Sequence, residues 1–179
     1  MHLNIEIKAR TSRADFIREF LEQQGARYEG LDHQIDTYFQ VPNGRMKLRE
    51  GTIERNLIHY SRPDQAGPKA SHVHLYRPNP GPALKELLTE ALGIWKVVDK
   101  QRKIYFIQNV KFHIDEVRGL GSFVEIEAID LDGSIGESKL QEQCQHYLAA
   151  FEIPTSDLVS GSYSDLIPPI GEGPGEISK

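Results

Sequence analysis

Residues 2–10 alternate strictly. Leu3, Ile5, Ile7 and Ala9 fall on one face; His2, Asn4, Glu6, Lys8 and Arg10 fall on the other. This is the period of a strand with one apolar and one polar side. The period then lengthens to that of a helix. Thr11 or Ser12 can cap it, and Asp15 sits in its first turn. Phe16, Ile17, Phe20 and Leu21 form its stripe, and Gly25 ends it. Strand-like runs occupy residues 26–62, including Asp36-Thr37-Tyr38-Phe39, a turn at Pro42-Asn43-Gly44, and the run Asn56–Arg62. Residues 63–69 read as a loop, His72–Arg77 as a further strand, and Pro78–Pro82 as its break. A second helix is expected over Ala83–Leu92 with the stripe Leu84, Leu87, Leu88, Ala91 and Leu92, stopped by Gly93. Lys100–Glu127 holds three strands separated by turns at Gln108-Asn109 and Gly119–Gly121. A third helix is expected around Glu137–Phe151 and a short closing element over Ser162–Ile167.

The polar faces are sorted by sign. Arg45, Lys47 and Arg49 share one side of a strand with no acid among them, opposite Met46 and Leu48. Lys100 and Arg102 share a side in the central stretch. Glu125 and Glu127 share a side on its last strand, opposite Val124, Ile126 and Ala128. Like charges on one isolated exposed strand repel, whereas such a row suits the binding of an anion. Each helix has one apolar stripe and each strand one apolar face, so the helices can cover the sheet from outside. A long antiparallel sheet curls or closes. It would then line a channel with Glu6, Lys8, Arg10, Arg45, Lys47, Arg49, Arg62, Lys100, Arg102, Glu125 and Glu127. Cations from several strands suit a triphosphate. Carboxylates beside it call for Mg²⁺ or Mn²⁺, hard ions that bridge carboxylate and phosphate oxygens.

The remaining composition narrows the picture. With 179 residues the chain is long enough for one substantial core, expected over 1–167, with a flexible Pro- and Gly-rich tail at 168–179. A net charge of -5 argues against a general nucleic-acid binder. Neither a signal peptide nor an apolar run that could span a membrane is apparent, so a cytoplasmic location is expected. Cys144, the single cysteine, falls in the stripe of the third helix and reads as a packing residue. His72 and His74 share a strand side but lack a clear third ligand, and read as ordinary surface or core residues.

In its order of motifs the chain resembles the CYTH superfamily, the triphosphate tunnel metalloenzymes. The likeness begins at Asn4-Ile5-Glu6-Ile7-Lys8, similar to a Glu-x-Glu-x-Lys signature. It continues through Asp36–Phe39, Met46–Glu50, Tyr60–Arg62, Lys100–Phe106, Ile114–Val117, Gly119–Gly121, Phe123–Glu127 and Ser162–Leu166. The central stretch is most similar to the class IV adenylate cyclase branch. The resemblance implies an α+β fold, an eight-stranded antiparallel β-barrel or tunnel with helices outside. It implies metal ligation by Glu6, Glu125 and Glu127, and substrate binding by Lys8, Arg49, Arg62, Lys100 and Arg102, to which the channel pattern adds Arg10 and Lys47. Lys8, Arg102 and Asp115 are the candidate catalytic residues. The cofactor expected is Mg²⁺ or Mn²⁺ and the partner a nucleoside triphosphate or other triphosphate. Related cyclases are dimeric. One position departs from the pattern: Asn4 stands where the signature has its first Glu, and offers an oxygen without the charge. Three activities stay open on residue type: cyclisation of ATP to cyclic AMP and pyrophosphate, triphosphate hydrolysis, and binding of a polyphosphate or nucleotide without turnover.

Overall fold

A computed structural model describes residues 2–79 and 81–167; the tail expected at 168–179 lies outside the described residues. Eight strands form the wall: β1 (His2–Arg10), β2 (Arg27–Phe39), β3 (Arg45–Gly51), β4 (Arg55–Ser61), β5 (Lys69–Tyr76), β6 (Ile94–Ile107), β7 (Val110–Val117) and β8 (Gly121–Asp130). They close into an antiparallel barrel in the order β1-β5-β4-β3-β2-β6-β7-β8. Closure leaves no unpaired edge among these strands. Among the described residues four α-helices accompany it: α1 (Ala14–Gln23), α2 (Ala83–Leu92), α3 (Glu137–Ala150) and α4 (Tyr163–Leu166). The fold is the α+β barrel that the alternating faces and the resemblance imply.

The apolar strand faces point outward and are covered by helices. Ile5, Ile7 and Ala9 of β1, Phe112 of β7, and Val124, Ile126 and Ala128 of β8 are buried with Ile17 and Leu21 of α1 and Leu140 and Cys144 of α3. Cys144 is a packing residue, as its place in the stripe suggests. Its thiol lies 3.2 Å from the Ile5 carbonyl, and burial pushes its pKa up to about 12. A smaller cluster, built on Phe39, Leu48 and Leu88, seats α2. Leu87 is not part of it: 63% of this side chain is exposed, because α2 meets the barrel through the narrower row Leu84, Leu88 and Leu92. Helix α1 starts one or two residues later than a Ser12 or Thr11 cap would place it. Thr11 Oγ1 accepts the Arg13 N–H at 2.9 Å instead, and Arg13 is the cap position. Strand β6 begins at Ile94, six residues before the charged stretch, and its full length pairs along β2.

The inward faces form a second interior. At one end it is apolar: Tyr38, Ile58, Tyr60, Val73, Val98, Val117 and Phe123 meet Val159 and Tyr163. Helix α4 lies across this end. Ser162 and Asp165 form a reciprocal capping box that starts it, and the Tyr163 ring packs edge-on against Phe123 with centroids 4.9 Å apart. Above this plug the interior is charged.

Candidate functional site: a charged tunnel

The charged interior is a cavity of about 170 Å³ whose lining includes seven cations, Lys8, Lys47, Arg49, Arg62, Lys100, Arg102 and Lys111, and four acids, Glu6, Glu54, Glu125 and Glu127. The strand register explains the grouping. In β1 and β8, Glu6 lies opposite Glu127 and Lys8 opposite Glu125. In β7 and β8, Lys111 lies opposite Glu127 and His113 opposite Glu125. In β6 and β7, Arg102 lies opposite Asp115. Facing side chains on adjacent strands are within reach of one another.

Two networks hold the cations. In the first, Asp36 accepts from Arg49 at 2.8 and 2.9 Å, Lys47 at 2.9 Å and Lys100 at 2.7 Å. Burial alone would raise the Asp36 pKa, but Arg49, Lys100 and Lys47 outweigh it and hold the carboxyl well below the usual range. One anion thus positions three cations. In the second network Glu125 receives Lys8, Arg102 and His113 Nδ1, the last at 3.0 Å. Arg102 also makes a bidentate pair with Asp115, at 2.7 and 2.5 Å, and Tyr163 donates to Asp115 at 2.7 Å. Lys8 Nζ lies 3.9 Å from the Tyr163 ring centroid, a cation–π contact. The plug helix is therefore wired to the charged interior. Ser162 Oγ adds a link, 2.7 Å from Tyr60 Oη and 2.8 Å from Arg62 Nη2.

A loop completes the lining. Asp32 accepts from Thr52 Oγ1 at 2.9 Å and from the Ile53 and Glu54 amides at 2.8 and 3.0 Å. A Cβ at position 51 would come within 2.6 Å of both Asp32 Oδ1 and the Glu54 carbonyl, so the loop needs Gly51. This turn aims Glu54 at Arg49, at 2.8 Å, and at Lys111.

The acids expected to hold a metal lie along one wall. Glu6 pairs with Arg62, Glu125 with Lys8 and Arg102, and Glu127 accepts from Asn4 Nδ2. Among the described residues no three His, Cys, Asp or Glu side chains are grouped as a metal site. The donor chemistry nonetheless suits a hard divalent ion. Burial and then the charges of Glu6, Glu125 and Glu54 raise the Glu127 pKa, with Lys111 opposing them. Asn4 is 2% exposed and its Oδ1 has no hydrogen-bond partner. Crowded carboxylates and an orphaned amide oxygen are what an oxygen-seeking cation relieves.

Most residues expected from the alternating pattern converge here: Glu6, Lys8, Lys47, Arg49, Arg62, Lys100, Arg102, Glu125 and Glu127 all line the cavity. Two do not. Arg10, at the end of β1, is exposed; it donates to the Leu120 carbonyl at 2.9 Å and lies over the Phe123 ring. Arg45 sits at the rim, bound to Asp64 at 2.9 Å and Asp165 at 3.0 Å. Both are near the plugged end, where the interior has turned apolar. Asp115 is buried behind Arg102 rather than open to the cavity, so it orients that guanidinium. His72 and His74 are exposed. Sequence reasoning overlooked Asp36, Glu54, Lys111 and His113. Lys111, His113 and Asp115 carry a legible signal, since they alternate on one side of β7.

The interior of the closed barrel thus brings seven cations and four carboxylates into one cavity. The chain belongs to the CYTH domain family, whose model matches residues 2–156. No curated protein gives a significant match. Among solved structures, PH1012 from Pyrococcus horikoshii is similar over 94% of this chain and 100% of its own, with 23% identity and a TM-score of 0.77. A candidate adenylate cyclase from Vibrio parahaemolyticus is similar over 92% and 97%, with 17% identity and a TM-score of 0.72. A candidate adenylyl cyclase from Hippeastrum, described as having a dominant triphosphatase activity, is similar over 90% and 91%, with 14% identity and a TM-score of 0.60.

Proposed function

We propose that the protein is a metal-dependent enzyme acting on a triphosphate inside the tunnel, and that its reaction is the conversion of ATP to cyclic AMP and pyrophosphate. The observation that carries the reading is the convergence of Lys8, Lys47, Arg49, Arg62, Lys100 and Arg102, drawn from three strands and an adjoining loop, onto one cavity with a carboxylate wall. Guanidinium and ammonium groups bind phosphate oxygens through charge-assisted hydrogen bonds. Glu6, Glu125 and Glu127 would hold Mg²⁺ or Mn²⁺, which would supply Lewis-acid neutralisation of phosphate charge.

The protein's own groups do the rest. Lys47, Arg49 and Lys100, released in part from Asp36, receive the terminal phosphates. Lys8 and Arg102 sit beside Glu125 and stabilise charge that develops at the reacting phosphorus. Asp115 and Tyr163 keep the Arg102 fork fixed while this happens. The apolar residues Ile58, Leu75 and Ile129, together with Asn56 and Ser71, line the same cavity and give an organic group a place beside the phosphates. In cyclisation the ribose 3′-hydroxyl oxygen bonds to the α-phosphorus, the bond from the α-phosphorus to the bridging oxygen breaks, pyrophosphate leaves with that oxygen, and the hydroxyl proton passes to the pyrophosphate or to solvent.

Hydrolysis of a triphosphate is the second reading, supported by the likeness to the Hippeastrum protein with its dominant triphosphatase activity. The test is product analysis after incubation with ATP, or with tripolyphosphate, and Mn²⁺ or Mg²⁺. Equal yields of cyclic AMP and pyrophosphate are expected. Orthophosphate from tripolyphosphate, with no cyclic AMP from ATP, replaces the cyclase reading by the hydrolase one. No product from either substrate overturns both.

A further inference from the structure

The outer face of β4 and β5 carries three histidines that the tunnel does not use. Asn56, Ile58 and Tyr60 of β4, and Ser71, Val73 and Leu75 of β5, line the cavity. Alternation therefore turns His59, His72 and His74 to the opposite side of the wall. The pairing of the two strands brings them together. His59 lies directly opposite His74, and His72 lies opposite Ser61, the next residue on the His59 side of β4. The His59 and His74 ring centroids are 6.2 Å apart. His72 follows His74 on the same side of β5 and is the diagonal neighbour of His59, a separation that long side chains span. His72 and His74 lack a third ligand along the chain; the strand register supplies one in His59.

His59 is also prepared as a ligand. Its Nε2 lies 3.0 Å from the Asn43 carbonyl oxygen. A carbonyl can only accept, so Nε2 carries the proton and donates, and in the neutral ring Nδ1 keeps its lone pair. A ring N–H given to a backbone carbonyl is the usual outer contact of a metal-bound imidazole, because it fixes tautomer and orientation. The turn at Pro42-Asn43-Gly44 closes on the same ring: a Cβ at Gly44, whose φ is +67°, would come within 2.9 Å of His59 Nε2. His59 is half-buried, whereas His72 and His74 are exposed. The three rings do not surround one point as they stand. Exposed side chains change rotamer in picoseconds to nanoseconds, so His72 and His74 can turn onto an ion while the turn holds His59 in place.

We propose that His59, His72 and His74 form a site for one borderline divalent transition-metal ion, Zn²⁺ above all, on the outside of the barrel. Three imidazoles suit Zn²⁺ rather than the Mg²⁺ or Mn²⁺ expected in the tunnel, which prefer oxygen ligands. Three protein ligands leave the fourth tetrahedral position to water. The ion cross-links β4 to β5, the strands whose inward residues Asn56, Ile58, Ser71 and Val73 line the cavity, and so stabilises that wall from outside. The site does not depend on the reading of the tunnel as an enzyme.

Calorimetric titration of the whole chain with Zn²⁺, in mildly alkaline buffer with excess Mg²⁺ to occupy the tunnel oxygens, tests the site. The wild type is compared with His59→Gln, His72→Ala and His74→Ala, and with Glu127→Gln as the tunnel control. His59→Gln keeps a polar side chain beneath the Asn43 turn, and the melting temperature without metal checks that each variant is folded. One Zn²⁺ per chain is expected. Each histidine change should weaken binding at least about tenfold, since loss even of a ligand's outer partner costs that much. Glu127→Gln should leave Zn²⁺ affinity unchanged. Zn²⁺ should also raise the melting temperature of the wild type by mass action, and raise it less in the three histidine variants. A wild type that binds no Zn²⁺ overturns the proposal. Binding that survives the histidine changes but weakens in Glu127→Gln places the ion in the tunnel and overturns it. Loss in His72→Ala and His74→Ala without loss in His59→Gln leaves a two-ligand surface contact, and overturns it as well.

Discussion

Replacing Asp36 by Asn removes one negative charge and little volume from the point where Lys47, Arg49 and Lys100 meet. Asp36 has no exposed surface and Lys100 is 2% exposed, so water cannot take over the lost charge. Deleting one partner of a buried ion pair leaves an uncompensated charge and costs about 3–5 kcal/mol. Here three cations lose their common anion, although Arg49 keeps Glu54 at 2.8 Å. A loss of about 3 kcal/mol is the working figure. In a domain of this length each kcal/mol moves Tm by roughly 2–4 °C, so Tm should fall by about 6–12 °C. The same deletion frees three cations for an added anion. Millimolar tripolyphosphate should therefore raise Tm more in the variant than in the wild type, because ligand binding to the folded state stabilises by mass action. Differential scanning fluorimetry at low and high salt reads both quantities. An unchanged apo Tm, or a variant whose response to tripolyphosphate is no larger than that of the wild type, refutes the assignment of Asp36 as the internal counter-ion of a phosphate site.

Other consequences follow from the same geometry. Asp115→Asn removes the charge that fixes the Arg102 fork and should lower kcat by about a hundredfold while leaving the tripolyphosphate shift in place; wild-type turnover would show that Arg102 needs no such orientation. The Asp36, Glu54 and Glu125 carboxyls all have folded pKa values well below their ordinary values, since nearby cations outweigh burial. In the acid range the unfolded chain then binds more protons than the folded one, so their stabilisation is complete above about pH 4.5 and is lost as pH falls below it. Urea melts from pH 7 to pH 3 should show that fall, and a flat profile would contradict the ion-pair network. Glu125→Ala, which removes a proposed metal ligand, should abolish metal-dependent turnover; normal activity with Mn²⁺ present would remove Glu125 from that role.

Much of this arrangement was legible in the chain. Alternation marks which side of β1, β3 and β8 faces the cavity, because a strand has only two sides and one of them is covered by helices. The sorting of Lys47 and Arg49 from Glu125 and Glu127 already points to a phosphate-and-metal chemistry. What alternation cannot supply is register. Asp36 reads as an ordinary strand residue until the pairing of β2 with β3 places it opposite Arg49. Glu54 sits in a turn with no period at all, and reaches the cavity only because Asp32 binds the turn's amides. Arg10 fails for the opposite reason. Its parity is right, but it lies where β1 meets the plugged end, so its side chain runs out to the Leu120 carbonyl. Asp115 has the right parity as well, yet the Arg102 fork and Tyr163 occupy both of its oxygens.

The central claim is that the tunnel cations form a site for a triphosphate, and titration calorimetry with tripolyphosphate, pyrophosphate and orthophosphate tests it without assuming any reaction. The account predicts that affinity rises with phosphate number, weakens as KCl is raised from 50 to 500 mM (assay range, about a tenfold span) because screening shortens the reach of the cations, and drops at least about tenfold in Arg49→Met and in Lys8→Met. Tripolyphosphate that binds no better than orthophosphate, or with equal affinity in these variants, would contradict it.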